Sequence, residues 1–560
     1  MYIFIFTIYL MRIASSELIV QTRSGPIRSV PSSVDDVEAF LGIPYAEPPV
    51  RELRFAKPIP KRPWKEVYNA SSLPPPCPQY SLGPYYFMPD ITNMTEDCLY
   101  LNIWVPKAET TDRLRPVMIY IHHGGCSSGS SNFPQHDGSQ LVSRGNVIFA
   151  TMNYRLGIFG FFLGYTEEAN GSMGMYDQLM AINWVKDNAE RFGGDPENII
   201  LMGVSAGGWS VSAHMISPLS KNLFKKAIIH SGSIVHPMFI ADNEKLFQNS
   251  EMVASFVGCT NESLTLGKDP RSVVKCLKEK PIEDLIAAEK ALLKRSFFNF
   301  FPRVNDEFLP KESIALLREG KFRKDIDVMI GIDKDEGGLF MLLAVPEYFG
   351  RYGSNDVSLR KGSATALMQT ASLALTGSYN SELVDFYMSR VKSRTPEGYA
   401  QMISNILGDH IITCSTVFFA EILSFKGNNV YFYKFEFRSP STPAAKWLGV
   451  MHLDELQYVF GVPFHDNFTT EEKELSNLLI DRWTTFAKKG NPNIPGHIPW
   501  LRYSYHQPLY LSFGQEEESI RIKPTDRCEF WRKAFKSDFD PDVIRFLRNS
   551  GMNITDNVTL

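Results

Sequence analysis

A serine flanked by two glycines is the most chemically suggestive feature of the sequence. Gly203-Val204-Ser205-Ala206-Gly207 matches the pattern Gly-x-Ser-x-Gly. Residues 198–202, just before it, predict a strand, and a helix is predicted to follow. A serine on a tight strand-to-helix turn projects its hydroxyl above the sheet, and the glycines remove side chains that would collide. Ser205 is therefore the candidate nucleophile.

The same five-residue pattern occurs a second time. Gly125-Cys126-Ser127-Ser128-Gly129 also matches, but Ser-Ser-Asn-Phe-Pro follows it, which is typical of a loop. Only Ser205 has the strand and helix that the chemistry requires. Ser127 is interpreted as an ordinary loop serine.

A nucleophilic serine needs donors for the negative charge that develops on the substrate oxygen. The predicted strand 117–121 runs into His122-His123-Gly124-Gly125. Glycines let backbone N–H groups come close to that oxygen, and the residue after the nucleophile, Ala206, supplies another N–H. An ordinary glycine turn is the alternative, but the position after an early strand favours an oxyanion hole.

The serine also needs a base, and the base needs a carboxylate that orients it. Asp333, Asp335 and Glu336 follow a predicted strand at 328–332, and His452 lies on a later loop. The chain has 11 histidines, so composition does not select His452. From the residues alone, the three acids also remain open alternatives.

Short apolar runs alternate with helical patterns from about residue 100. A helix is predicted over 177–192, ended by Gly193-Gly194, and further strands are predicted at 147–152, 199–202, 227–229 and 430–437. This alternation predicts an α/β protein with a mostly parallel sheet and helices on both faces. Because no linker divides it, residues 17–540 are expected to form one domain, followed by a flexible polar tail at 541–560.

The composition favours a secreted globular protein. Hydrophobic residues make up 44% of the chain, which is enough for a large core. Because the net charge is −4, there is no basic excess that would suggest nucleic-acid binding. Residues 1–16 resemble a signal peptide, although a buried strand is the alternative. Seven cysteines permit three disulfides and one free thiol. Sequons for N-glycosylation occur at Asn69, Asn93, Asn170, Asn261, Asn467, Asn553 and Asn557.

Widely spaced motifs make a resemblance specific. The chain resembles the type-B carboxylesterase/cholinesterase family over nearly all its mature length. The motifs that carry this resemblance, in family order, are Phe-Leu-Gly-Ile-Pro-Tyr-Ala (40–46), Glu-Asp-Cys-Leu-Tyr-Leu-Asn-Ile-Trp-Val-Pro (96–106), Asn-Tyr-Arg-Leu-Gly-Ile-Phe-Gly (153–160), Phe-Gly-Gly-Asp-Pro (192–196), Gly-Val-Ser-Ala-Gly-Gly (203–208), Lys-Asp-Glu-Gly (334–337) and Gly-Val-Met-His (449–452).

The resemblance implies an α/β-hydrolase fold with the site in a deep gorge. It implies a triad of Ser205, Glu336 and His452, with oxyanion donors at Gly124, Gly125 and Ala206. It also implies disulfides that pair Cys77 with Cys98, Cys259 with Cys276 and Cys414 with Cys528, which leaves Cys126 free. Buried ion pairs are implied between Arg54 and Glu96 and between Arg155 and Asp177.

Departures from the family pattern concern the substrate pocket. His123 replaces the first of three usual glycines, and Val204 stands where glutamate is usual. Met88 occupies the position of the tryptophan that holds choline in cholinesterases, and Leu339 replaces an aromatic residue, although Phe340 follows. Phe298 and Phe300 match phenylalanines that narrow the cholinesterase acyl pocket. Losing the tryptophan and the glutamate argues against efficient binding of a quaternary ammonium.

The resulting expectation is a secreted serine carboxylic ester hydrolase, general or selective for small acyl groups, that cleaves small-molecule esters through an acyl-enzyme on Ser205. It is expected to need no metal or cofactor, to bind neither nucleic acid nor a membrane, and to be a monomer or homodimer. A cholinesterase is the main alternative. A non-catalytic cholinesterase-like adhesion protein is the third, but such relatives commonly lack the nucleophile.

Overall fold

The structure is a computed structural model. It describes residues 17–81, 89–107, 113–236, 243–293, 298–344, 357–376, 380–465, 467–515, 518–523 and 525–534. The expected signal peptide, the C-terminal tail, Met88 and the sequons at Asn553 and Asn557 lie outside the described residues.

The strands of the described residues form one large sheet and two small ones. The large sheet has 11 strands in the order β16-β15-β14-β13-β12-β11-β7-β8-β6-β4-β3. The strands are β1 (Ile19–Gln21), β2 (Pro26–Arg28), β3 (Val30–Pro31), β4 (Val37–Pro44), β5 (Tyr68–Asn69), β6 (Tyr100–Pro106), β7 (Arg115–Ile121), β8 (Ile148–Met152), β9 (Leu163–Thr166), β10 (Ala169–Asn170), β11 (Gly194–Val204), β12 (Lys226–His230), β13 (Asp327–Asp333), β14 (Val430–Phe435), β15 (Leu509–Phe513) and β16 (Glu518–Ile522).

Helices surround the sheet. They are α1 (Ser139–Gly145), α2 (Gly157–Phe161), α3 (Met173–Asn188), α4 (Ala206–Ile216), α5 (Asn243–Phe256), α6 (Pro270–Glu279), α7 (Ile282–Leu292), α8 (Ser313–Arg318), α9 (Gly337–Ala344), α10 (Lys361–Thr376), α11 (Ser381–Met388), α12 (Pro396–Gly408), α13 (Cys414–Phe425), α14 (Leu456–Val459), α15 (Thr470–Lys489) and α16 (Cys528–Ala534). Together they give the predicted α/β architecture.

The centre of the sheet explains why the predicted strands are so apolar. Strands β15 to β8 run parallel to one another, and all residues of β7, β8 and β12 are buried. A parallel strand covered on both faces is apolar along its whole length, and its carboxyl end meets those of its neighbours at one edge. Loops that follow β7, β11, β12, β13 and β14 therefore come together there, where α/β sheets bind ligands.

The predicted start of one helix was wrong. The helix predicted over 177–192 begins earlier, at Met173, and its last turn is a 3-10 helix at Ala189–Phe192. Gly193 ends it in the left-handed conformation, with φ of 78°, as the glycine pair predicts. Asp177 therefore lies inside the helix, where its buried carboxylate binds Arg155.

Among the described residues, one helical segment is long and apolar enough to span a membrane. Residues 396–425 form 30 residues of continuous helix, and 89% of their most apolar window is buried within the protein. This burial is that of a core helix, for which apolar composition is ordinary.

Candidate active site

Ser205 occupies a sharp turn between β11 and α4. Its backbone has φ of 57° and ψ of −121°, a conformation that a residue with a side chain rarely adopts. The flanking glycines are required by close backbone approach. A Cβ on Gly203 would lie 2.4 Å from the backbone of Gly207, and a Cβ on Gly207 would lie 2.0 Å from the carbonyl oxygen of Ile121.

The competing serine, Ser127, has a different setting. It lies in a loop turn whose N–H donates to the Gly124 carbonyl at 3.1 Å, between neither a strand nor a helix. Its hydroxyl is buried against the wall of the cavity described below. The strand–turn–helix geometry therefore belongs to Ser205 alone of these two.

A histidine and a carboxylate meet at the same edge of the sheet. Nδ1 of His452 lies 2.6 Å from Oε2 of Glu336, and both side chains are buried. Asp335 points elsewhere: its carboxylate accepts hydrogen bonds from the Val450 N–H at 2.9 Å and from Gln401 at 2.7 Å. Of the three acids that the sequence left open, Glu336 is the one in contact with His452.

The other oxygen of Glu336 has its own donors. Oε1 accepts a 2.6 Å hydrogen bond from the Ser231 hydroxyl and a 2.8 Å bond from the Asp333 N–H. Charge-assisted bonds of this kind hold a carboxylate in one orientation. Sequence reasoning missed Ser231, because it lies 105 residues from Glu336 and follows β12 without any motif of its own.

Behind Glu336 lies a second buried acidic group. The carboxyl groups of Asp333 and Glu455 are both buried, each with one oxygen that has no hydrogen-bond donor among the described residues, and Asp333 also accepts the Leu453 N–H at 2.9 Å. Burial, together with the nearby carboxylates of Glu455 and Glu336, raises the pKa of Asp333 well above its ordinary value. A protonated Asp333 supplies the hydrogen that a bond between two carboxyls requires. It thereby ties the loop after β13 to the residue following His452.

Ser205 and His452 line one small cavity, together with Gly124 and Gly125. Its free space is about 50 Å³, and most of its wall is apolar. Among the described residues, Nε2 of His452 has no hydrogen-bond partner. The imidazole is thus fixed through Nδ1, and its second nitrogen remains available to a group in the cavity.

The loop after β7, which holds the candidate oxyanion donors, needs glycine because of its backbone conformation. Gly124 has φ of 117° and Gly125 has φ of 63°. A Cβ on Gly124 would lie 1.9 Å from the Ser128 carbonyl oxygen, and one on Gly125 would lie 3.0 Å from the ring of Phe298. Both residues border the cavity, and Ala206 begins α4 directly after Ser205.

The structure brings only some of the predicted pocket residues to the cavity. Phe298, Leu339 and Phe340 line it. Val204 and Phe300 are fully buried and do not line it, because Val204 pairs with β12 inside the sheet and Phe300 packs in the hydrophobic core. His123, which the sequence singled out as a departure from the family pattern, also lines it. Further lining residues that the sequence did not indicate are Tyr80, Ser127, Leu293, Leu343 and Leu453.

Covalent and ionic links hold the surrounding scaffold. The disulfides are Cys77–Cys98, Cys259–Cys276 and Cys414–Cys528, the pairs that the family resemblance implies. The Arg54–Glu96 and Arg155–Asp177 pairs are buried, with shortest distances of 2.6 Å and 2.7 Å. Cys126 is free and buried, and burial raises the pKa of its thiol to about 12, so it stays protonated and unreactive at neutral pH.

Comparison with known proteins decides the family. The sequence profile described as "Carboxylesterase family" matches residues 16–531. This chain belongs to that family. It is therefore a serine carboxylic ester hydrolase with the α/β-hydrolase fold, as the resemblance implies.

Curated relatives cover nearly the whole chain. Acetylcholinesterase-1 of Trittame loki is 36% identical over 89% of this chain and 90% of its own length. A cholinesterase of Mus musculus is 34% identical over 93% of this chain and 87% of its own, and an acetylcholinesterase of Leptinotarsa decemlineata is 34% identical over 94% and 86%. These relatives share the family and carry cholinesterase names.

Proposed function

We propose that Ser205 is the nucleophile of this esterase, with His452 as its base and Glu336 as the carboxylate that orients the base. The observation that carries the proposal is the 2.6 Å contact between His452 Nδ1 and Glu336; Nε2 has no hydrogen-bond partner among the described residues, and His452 lines the same cavity as Ser205. His452 takes the proton of Ser205 as the hydroxyl attacks the ester carbonyl. It then gives that proton to the leaving alcohol, and an acyl-enzyme remains.

Water completes the cycle. His452 removes a proton from a water molecule that attacks the acyl-enzyme, and the carboxylic acid leaves as the proton returns to Ser205. In both steps the carbonyl oxygen becomes negatively charged. Backbone N–H groups of Gly124, Gly125 and Ala206 are the donors proposed to stabilise it.

The two serines of the repeated motif provide a matched test. A fluorophosphonate probe should label the wild-type protein and also the Ser127→Ala variant, because that substitution leaves the proposed nucleophile in place. Ser205→Ala should lose labelling and turnover of a phenyl ester while the protein stays folded by circular dichroism. Labelling that persists in Ser205→Ala would assign the nucleophile elsewhere.

The substrate is proposed to be a carboxylic ester with a small acyl group rather than a choline ester. Val204 places no carboxylate beside the nucleophile, and the cavity wall near Ser205 is formed by Phe298, Leu339 and Phe340. The names of the relatives favour the second candidate, a cholinesterase. Comparing kcat/KM for phenyl acetate and acetylthiocholine separates the two, since a cholinesterase should prefer the cationic ester.

Secretion is also proposed. Four sequon asparagines, Asn69, Asn93, Asn261 and Asn467, are exposed, and Asn170 is half-buried. Three disulfides are typical of an oxidising compartment. When the full chain is expressed in eukaryotic cells, it should accumulate in the medium and lose mass on treatment with a glycosidase that removes N-linked glycans. Retention of unglycosylated protein in the cytosol would contradict this proposal.

A further inference from the structure

His123 is a polar residue buried in the wall of the catalytic cavity. Its side chain is 1% exposed, and neither imidazole nitrogen has a hydrogen-bond partner among the described residues. A buried polar group without a partner costs free energy, so such a group in a ligand cavity indicates what the ligand should offer. His123 lines the same cavity as Ser205 and His452.

The imidazole of His123 is held in place by its neighbours. Its ring centroid lies 5.8 Å from that of Phe133 and 5.5 Å from that of His136. The adjacent His122 is occupied otherwise, since its ring stacks on Tyr154 and its Nδ1 lies 2.8 Å from the His123 carbonyl oxygen. The backbone φ of His123 is not positive, so its conformation does not require glycine.

The position of His123 corresponds to the alcohol side of an ester. The leaving oxygen must receive its proton from His452, so the alcohol group lies next to that imidazole during the reaction. Leu453, which follows His452 in the chain, lines the same cavity as His123. The same two residues also border a second cavity of about 500 Å³, whose wall includes Gln135, Asp137 and Gln457. Phe298, by contrast, lies against Gly125 and Trp209.

We propose that His123 hydrogen-bonds the alcohol portion of the substrate, and that the enzyme therefore prefers esters of uncharged alcohols that carry a second hydroxyl group. This inference rests on the proposed acyl-enzyme mechanism. His123 is then a residue that determines specificity, because the glycine that is usual at this position in the family has no side chain to make this hydrogen bond.

The protonation state of His123 fits that substrate class. Burial, followed by the neighbouring His136, His122 and His452, lowers the pKa of His123 well below its ordinary value. The neutral imidazole offers one N–H donor and one nitrogen acceptor, which match the acceptor and donor of a hydroxyl group. A quaternary ammonium has no N–H to donate, so it gains nothing from this residue.

A pair of matched esters tests the inference. 2-Hydroxyethyl acetate and propyl acetate share an acyl group and differ by a hydroxyl in place of a methyl. Their kcat/KM ratio is divided by the ratio of their hydroxide-catalysed rates, which removes the difference in intrinsic reactivity. One neutral hydrogen bond should give the wild-type enzyme roughly 3- to 10-fold preference for the hydroxyethyl ester.

Variants assign the preference to the side chain. His123→Phe keeps the ring contacts with Phe133 and His136 but has no polar atom, so the normalised ratio should fall to about one. His123→Gln keeps a donor and an acceptor and should retain part of the preference. Phe298→Leu is the control on the other part of the wall: it should change the rates for both esters and leave their ratio as it is.

Two results would overturn the inference: a wild-type ratio near one, or an undiminished ratio in His123→Phe. The same proteins are assayed for a burst of p-nitrophenol from p-nitrophenyl acetate, which counts acyl-enzyme formation. A burst with no preference between the two alcohols rejects the role of His123 alone. A wild-type enzyme that gives no burst and is not labelled by the fluorophosphonate probe rejects the acyl-enzyme mechanism and this inference with it.

Discussion

Ser231 donates a 2.6 Å hydrogen bond to Oε1 of Glu336, the oxygen that does not contact His452. The acid of the proposed triad is thus held from both sides, by Ser231 on one oxygen and His452 on the other. A carboxylate held in this way cannot rotate freely, and it presents Oε2 to the imidazole throughout the reaction. Ser231 is therefore a positioning residue.

Removing that hydroxyl should slow the chemical step. Ser231→Ala is expected to lower kcat about 10-fold with little change in KM, because a hydrogen bond to a charged group contributes about 1.5–3 kcal/mol and Ser231 does not line the cavity. Ser233→Ala is the matched control, since Ser233 donates to the Ser415 carbonyl instead. Equal losses in the two variants, by steady-state kinetics, would contradict the positioning role.

The protonated Asp333 predicts which substitutions the site tolerates. Asp333→Asn keeps an acceptor for the Leu453 N–H and supplies N–H donors to Glu455, so kcat/KM should stay within about 3-fold of wild type. Asp333→Ala leaves both partners unpaired in the interior and should destabilise the protein by about 1–3 kcal/mol per lost partner. Urea unfolding and esterase assays on both variants measure this difference. A larger loss in Asp333→Asn than in Asp333→Ala would show that Asp333 is ionised.

Glu289 predicts a pH dependence of stability. Its carboxyl is fully buried and accepts the Ile158 N–H at 3.0 Å, and burial raises its pKa from 4.5 to about 7. The unfolded chain ionises near pH 4.5, whereas the folded protein keeps its proton until about pH 7. This contribution to stability is thus present below pH 4.5 and is lost as the pH rises through 7, a change of up to about 3 kcal/mol.

Glu289→Gln isolates that contribution, because glutamine keeps the acceptor and cannot ionise. The difference in free energy of unfolding between wild type and variant is measured at pH 4.5 and at pH 7.5. Wild type should lose stability relative to the variant over this interval. Burial lowers the pKa values of His122 and His136 to about 4 and about 3. Their contribution to the pH dependence of stability is the same in both proteins, so it cancels in the difference. A constant difference would show that Glu289 ionises normally.

Loop length should separate two of the disulfides. Cys414 and Cys528 are 114 residues apart, whereas Cys259 and Cys276 are 17 apart. In the chain-entropy account, replacing the first pair by alanines should lower the free energy of unfolding by about 4–5 kcal/mol, and replacing the second by about 3 kcal/mol. Urea unfolding of the two double variants compares them. A larger loss from the shorter loop would show that strain or residual structure outweighs loop entropy.

Features formed by residues that are contiguous in the sequence could be predicted from local patterns. The turn at Ser205 could be predicted because its glycines, the strand before it and the helix after it are contiguous. The apolar strands could be predicted because both of their faces are covered. The start of α3 could not, since Ser172, the residue before it, makes no side-chain capping hydrogen bond.

The sequence by itself determined the family and the glycine-flanked turn at Ser205. The family follows from motifs spread along the chain, and the turn from residues within a few positions of one another. From the residues alone three neighbouring acids stayed open, and the tertiary structure brings Glu336 to His452, as the family resemblance implies. Only the structure showed that Ser231 holds that acid, and that His123 lines the cavity with no hydrogen-bond partner among the described residues. The physical reason is the parallel sheet. It brings together loops that are 105 and 116 residues apart, and no local pattern records which side chains then come into contact.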